Sequence, residues 1–252
     1  MMDFDERVIP GITANFQFKE SLARYEFASK ILKGGSYVLD LGCGTGYGSD
    51  FLSRKFNVIG IDINKEAISF AKKHYPNSAR FLVGDVCRLP FEREEFDAIC
   101  SFEVIEHIKN PKDMLSEVLR VLKKRGLFVM STPKKGKKVI SPYHFKEYTK
   151  VELENLLRLY FSKVEIFGQC KNKKAKKAFL DFLKSQQARE KVVRNDVLGL
   201  RRLFPKILKE KIWKYVGNFF GRRSQESLET SDFPIGAFRQ EESEFLIAVC
   251  QK

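Results

Sequence analysis

Four acids, Asp40, Asp62, Asp85 and Glu103, each close a short apolar run in this 252-residue chain. The first of them opens directly into glycines, Asp40-Leu41-Gly42-Cys43-Gly44-Thr45-Gly46-Tyr47-Gly48. Carboxylates of this kind accept hydrogen bonds from hydroxyls and balance cations. Glycines at this spacing let a backbone turn sharply and approach a ligand where a Cβ would collide. The spacing is not G-x-G-x-x-G, because the third glycine of that pattern is replaced by Tyr47. No Lys-Ser or Lys-Thr pair follows, which excludes a phosphate-cradling loop. An acid immediately before the glycines would repel a phosphate and suits a ligand carrying an ammonium or sulfonium. Asp62 follows 22 residues after Asp40, the distance at which an acid takes ribose hydroxyls in nucleotide-binding α/β sheets.

The elements that must position these residues alternate. Residues 15–33 read as a helix, with an interrupted apolar stripe of Phe16, Leu22, Ala23, Phe27, Ile31 and Leu32. Strands are predicted at 37–41, 57–62, 80–85, 96–102 and 126–130, with helices at 45–55, 64–74 and 111–124 between them. Asn64 is a candidate N-cap, and Thr149 with Glu152 has the capping-box pattern before a further helix. Two more strands are expected at 164–167 and 244–250. Such alternation predicts a parallel sheet with helices on both faces, its acid-bearing ends along one edge.

Together these residues resemble the class I S-adenosylmethionine-dependent methyltransferases. D-L-G-C-G-T-G resembles their motif I, and G-I-D-I-N resembles motif II. V-G-D-V resembles the segment that reads the adenine edge through the Asp85 side chain and the Val86 backbone. S-F-E-V-I-E-H-I and R-V-L-K-K-R-G-L-F-V-M-S-T-P resemble the parts around strands four and five in ubiquinone-biosynthesis O-methyltransferases and their small-molecule relatives. The resemblance implies a Rossmann-like α/β fold with a seven-stranded sheet whose final strand is antiparallel. It implies S-adenosylmethionine as cofactor, held by Asp40, Gly42, Cys43, Gly44, Asp62, Ile63, Asp85, Val86 and Phe102. Arg24-Tyr25 resembles a pair common in these relatives, on a helix that closes over the cofactor, so Tyr25 joins the set.

The acceptor is less legible. Of the three histidines, His74 sits at a helix end and reads as surface, whereas His107 and His144 fall after strands four and five, on the acceptor side. Either could serve as a general base for an alcohol acceptor, or only anchor its loop. No metal site is expected. The five cysteines lack a C-x-x-C pair and read as reduced thiols.

Net charge is +14, and residues 171–223 hold 17 Lys/Arg against 4 Asp/Glu. The expected organisation is therefore a methyltransferase domain at 1–170 plus 241–252, with 171–240 a basic helical insertion or lid. Within it, Lys173 to Arg194 and Lys206 to Phe220 read as basic helices. Such helices suit packing over the site, contact with anionic lipid head groups, or nucleic acid, and no nucleic-acid-binding motif supports the last. No run is long and apolar enough to span a membrane, and no export signal is read, so a cytoplasmic protein is expected, with peripheral contact at the inner membrane face open to it. The expected reaction is methyl transfer to a small-molecule acceptor, glycan- or lipid-linked, with oxygen favoured. RNA or protein methylation and non-catalytic cofactor binding are the alternatives; oligomeric state is left open.

Overall fold

A computed structural model describes residues 8–10, 13–136, 143–194 and 228–252. Helix α1 (Asn15–Ile31) precedes strand β1 (Tyr37–Leu41), helix α2 (Tyr47–Ser53), β2 (Asn57–Asp62), α3 (Lys65–His74) and β3 (Arg80–Val83). There follow β4 (Phe96–Phe102), α4 (Pro111–Val121), β5 (Leu122–Pro133), α5 (Lys150–Arg158), β6 (Lys163–Gln169), α6 (Lys173–Arg194), β7 (Ile235–Ala237) and β8 (Phe245–Gln251). They build one sheet of order β3-β2-β1-β4-β5-β8-β6-β7. Strands β1 to β5 pair in parallel, and β8 lies antiparallel between β5 and β6.

Side-chain alternation in β1 and β4 explains why both faces need helices. Val38, Ala98, Cys100 and Phe102 pack with Tyr25 and Ala28 of α1 and Leu52 of α2. Leu39, Leu41 and Ile99 face the other way, onto Met114, Leu115 and Val118 of α4 and Leu153 and Leu157 of α5. The expected caps form: Asn64 Oδ1 accepts the Ala67 N–H at 2.8 Å, and Thr149 and Glu152 complete a capping box on α5.

Three details depart from the sequence expectation. Only half of the expected apolar stripe of α1 is buried: Phe16, Ala23 and Leu32 are, while Leu22 and Phe27 are half-buried. Glu20 and Arg24 are buried while Ile31 is exposed, because α1 also packs beneath β6 and the segment after it, where Arg24 donates to Gln169 Oε1 at 2.7 Å. Helix α4 stops three residues early, since Leu122 pairs with Phe96 and is fully buried; the register then shifts, with Arg125 at φ 61°, before Ala98 meets Leu127. And the segment expected to be a helical insertion also carries β7, an eighth edge strand antiparallel to β6.

Helix α6 matches its expected span. Its Ala175, Ala178, Phe179 and Phe182 pack on Phe16 of α1 with Leu228 and Phe233, and Lys173, Lys176 and Lys177 lie on its exposed side. The second expected basic helix, 206–220, lies outside the described residues.

Candidate functional site

The glycine loop and the acids meet at the carboxyl edge of the sheet. Gly42, Gly44 and Gly46 have φ of 71°, 53° and 85°, left-handed values that disfavour any Cβ. Gly42 is also pinched, since a Cβ there would stand 2.4 Å from Val104, whereas a Cβ on Gly44 would meet nothing within 4 Å. The outer side of the loop at Gly44 is therefore open.

Asp40 is wholly buried beneath this loop. Its carboxylate accepts hydrogen bonds from Ser49 Oγ at 2.6 Å and Tyr25 Oη at 3.3 Å. Burial is the main influence on it and pushes its pKa up to about 7, against the two hydrogen bonds and with help from the negative charge of Asp62. Ser49 went unnoticed in the sequence. Its signal is positional: it lies on the first inward-facing turn of the helix that the glycine loop starts.

Asp62 is nearly buried at the end of β2 and is locked by backbone donors. Gly44 N–H reaches one oxygen at 2.9 Å and Asn64 N–H the other at 2.8 Å. A carboxylate oxygen can accept more than one hydrogen bond. Ile63, the next residue, is 68% exposed, an apolar side chain left facing solvent beside this acid. Asp85 stands apart from Asp40 and Asp62: it is exposed, and its Oδ1 caps the Cys87 N–H at 2.8 Å, while Val86 is buried. Phe102 closes the floor of the site, edge-on to Tyr25 with ring centroids 4.7 Å apart. Cys43 is buried in the loop, and desolvation raises its thiol well above the ordinary range, so it stays a protonated, inert side chain.

Beyond β4 and β5 the structure brings together residues that the sequence separates. A single-turn 3₁₀ segment, Ile105–His107, follows β4, and its neighbour Glu103 takes φ 58°. Glu103 Oε1 accepts from Ser131 Oγ at 2.6 Å, and Glu106 Oε2 accepts from Thr132 Oγ1 at 3.0 Å. The Glu106 carbonyl accepts the Phe145 N–H at 2.8 Å, which ties the segment after β5 onto this turn. His107 and His144 consequently stack edge to face, 4.9 Å between centroids. His107 Nδ1 donates to the Tyr143 carbonyl at 3.1 Å, and His144 Nδ1 lies 3.5 Å from Glu147 Oε1. Glu106 is fully buried, and desolvation followed by the charge of Glu103 raises its pKa well above the usual carboxylate range. The buried role of Glu106 was not legible in the sequence, and neither was the meeting of His107 with His144. His74, by contrast, lies at the end of α3, exposed and stacked on Phe70.

Comparison with known proteins bears on family and fold. A family profile described as a methyltransferase domain matches residues 39–130. A probable S-adenosylmethionine-dependent methyltransferase of Mycolicibacterium smegmatis is 32% identical over 168 residues, 64% of this chain and 65% of that protein. The phthiotriol/phenolphthiotriol dimycocerosates methyltransferase of Mycobacterium tuberculosis is 34% identical over 105 residues, 40% of this chain and 39% of that one. The matched stretch thus spans less than two thirds of each of these curated relatives. Among solved structures, a SAM-dependent methyltransferase from Thermotoga maritima, described as a possible histamine N-methyltransferase, superposes with a TM-score of 0.62 at 16% identity, covering 94% of this chain and 91% of that chain. With glycine loop, strand-end acids and the β5-β8-β6 arrangement in place, the chain has the fold of the S-adenosylmethionine-dependent methyltransferases, and residues 39–130 match the methyltransferase-domain family.

Proposed function

We propose that this chain catalyses transfer of a methyl group from S-adenosylmethionine to a small-molecule acceptor, with a hydroxyl of a lipid- or glycan-linked molecule favoured. The observation that carries the reading is Asp40. It is a wholly buried carboxylate, its hydrogen-bond donors Ser49 and Tyr25 are neutral hydroxyls, and the charge that acts on it is another acid, Asp62. A cationic ligand at the open glycine loop supplies the missing charge. When bound, S-adenosylmethionine provides a methyl group on positively charged sulfur.

The residues present fit that cofactor. The backbone of Gly42, Cys43 and Gly44 would line it, Asp62 would accept its ribose hydroxyls, and Ile63 would cover one face of the adenine. Asp85 and the Val86 backbone would meet the adenine edge, while Tyr25 and Phe102 would hold Asp40 and close the floor. Catalysis then rests largely on orienting the acceptor, because the methyl group arrives already activated. His107 and His144 are the acceptor-side groups of this reading.

Support for a lipid-linked acceptor comes from the partial match to a lipid methyltransferase and from the cationic exposed side of α6. We further read 1–170 plus 241–252 as the cofactor-binding domain and 171–240 as the segment that shapes acceptor access. Among the described residues no helix is long and apolar enough to cross a membrane.

Calorimetric titration with S-adenosylmethionine tests the cofactor. Binding should be measurable in the wild type and lost in Asp62→Ala; absence of binding, or an unchanged variant, overturns the assignment. Labelled cofactor incubated with fractionated cell extract tests the acceptor. Label is expected in a lipid or glycan fraction, and label confined to RNA or protein overturns the small-molecule reading.

A further inference from the structure

We propose that Glu106, His107 and His144 form a binding site for one divalent transition-metal cation on the acceptor side of the sheet edge. The inference deepens the methyltransferase reading and rests on it for its purpose, though not for its chemistry. One ligand atom from each of the three residues lies within 4.8 Å of the others. In a tetrahedral site with bonds of about 2.1 Å the ligands stand about 3.4 Å apart, so the three groups would draw closer on binding a cation.

Two independent features point to a cation there. Glu106 is fully buried, and while Oε2 accepts from Thr132, Oε1 has no hydrogen-bond partner among the described residues. An unsatisfied carboxylate oxygen out of contact with water is costly, and a cation in reach would relieve it. The imidazoles supply the second feature. The Nδ1 of His107 donates to the Tyr143 carbonyl and the Nδ1 of His144 faces the Glu147 carboxylate, both outside the proposed ligand set. That arrangement places the lone pair on Nε2 of each ring, and it is how ligating histidines are held and tuned. The two segments that carry the rings are also pinned together, through the Phe145 N–H on the Glu106 carbonyl.

Two imidazoles and one carboxylate select a first-row transition ion over magnesium or calcium. Three protein ligands leave coordination positions open. A hydroxyl-bearing acceptor entering one of them would lose its proton to solvent more readily, so neither histidine need act as the base. The substrate class this implies is an alcohol or phenol with its oxygen directed at the cation.

Cobalt(II) is the probe, added to chelator-treated full-length protein. One equivalent should bind, giving visible d–d bands without the sulfur charge-transfer bands of a cysteine site. Glu106→Gln and His144→Gln should each weaken binding by on the order of 100-fold or more, since loss of an outer partner alone costs about 10- to 100-fold. The wild type offers a reading that needs no variant. Of its three histidines, His107 and His144 should show cobalt-shifted imidazole proton signals and His74 should not. No cobalt uptake, uptake unchanged in both variants, or shifted signals from His74 alone overturns the site. S-adenosylmethionine calorimetry on the metal-free protein separates the two proposals. Cofactor binding without cobalt uptake overturns only the cation site, whereas cobalt uptake without cofactor binding overturns the methyltransferase reading and supports the cation site.

Discussion

Tyr25 places its hydroxyl 3.3 Å from the Asp40 carboxylate, bridging helix α1 to strand β1 with both residues buried. The same ring lies against Gly48 at the start of α2, where an added Cβ would stand 1.9 Å from a ring carbon. One tyrosine therefore couples the first helix, the glycine loop's own helix and the acid beneath the loop. Whatever moves Tyr25 moves the environment of Asp40.

The first prediction concerns stability without ligand. Asp40 titrates at about 7 in the folded chain against an ordinary 3.8, chiefly through burial, so the folded state holds its proton more tightly. The resulting stabilisation is complete below about pH 4 and is lost as pH rises through 7. Roughly three pKa units correspond to at most about 4 kcal/mol. Thermal unfolding of Asp40→Asn should lack this fall, so the variant gains on the wild type between pH 5 and 8. Parallel curves for the two proteins would contradict it.

The second concerns cofactor affinity. A cationic ligand favours ionised Asp40, so below pH 7 its binding should release a proton, and affinity should rise with pH and level off above 7. Calorimetry in two buffers of different ionisation enthalpy reads the proton directly. Tyr25→Phe removes one of the two hydrogen bonds that lower the Asp40 pKa, so the affinity rise should move to higher pH. An unmoved profile would mean that Tyr25 acts only through packing.

Gly48→Ala is the third. The added methyl must push the Tyr25 ring aside, and overpacking of this kind costs about 1–3 kcal/mol. Denaturant unfolding should register that loss, with cofactor affinity falling beyond what the residual folded fraction explains. Gly136→Ala is the matched comparison, because its Cβ would meet no atom within 4 Å and its φ of 100° carries strain alone.

Lys171 supplies the fourth. Its ammonium is buried between Glu20 of α1, at 2.7 Å, and Glu244 before β8, at 2.5 Å. Lys171→Met would leave two partly or fully buried carboxylates without their shared cation, a change that costs about 3–5 kcal/mol. The expected result is a lowered denaturation midpoint at neutral pH, partly recovered in Lys171→Met/Glu20→Gln. A loss under about 1 kcal/mol would show that water replaces the ammonium.

The placing of the glycine loop and its neighbouring acids at one sheet edge was legible because its signals are local. Asp40, the glycines and Asp62 lie at strand ends whose positions follow from apolar runs, and a parallel sheet must bring those ends together. Asp85 followed the same logic, yet its side chain is occupied with its own turn. The cluster around Glu106 was not legible, because it depends on a turn at Glu103 with positive φ and on a carbonyl of Glu106 capturing the chain 39 and 40 residues later, at Phe145 and Lys146. Neither leaves a periodic trace. Burial of Glu20 and Arg24 in α1 was hidden for a related reason: their partners Lys171 and Gln169 are contributed by chain far away, against the helix's own pattern.

The seat of β8 between β5 and β6 has a consequence for how the chain is made. Strand β6 ends at Gln169 and β8 begins only at Phe245, so on the ribosome the edges of β5 and β6 emerge long before the strand that joins them. Both edges are open to wrong partners throughout that interval, and pairing so distant in sequence is slow. Strand β8 is the keystone of the sheet, and while the nascent chain waits for it two strand edges stand open to wrong partners.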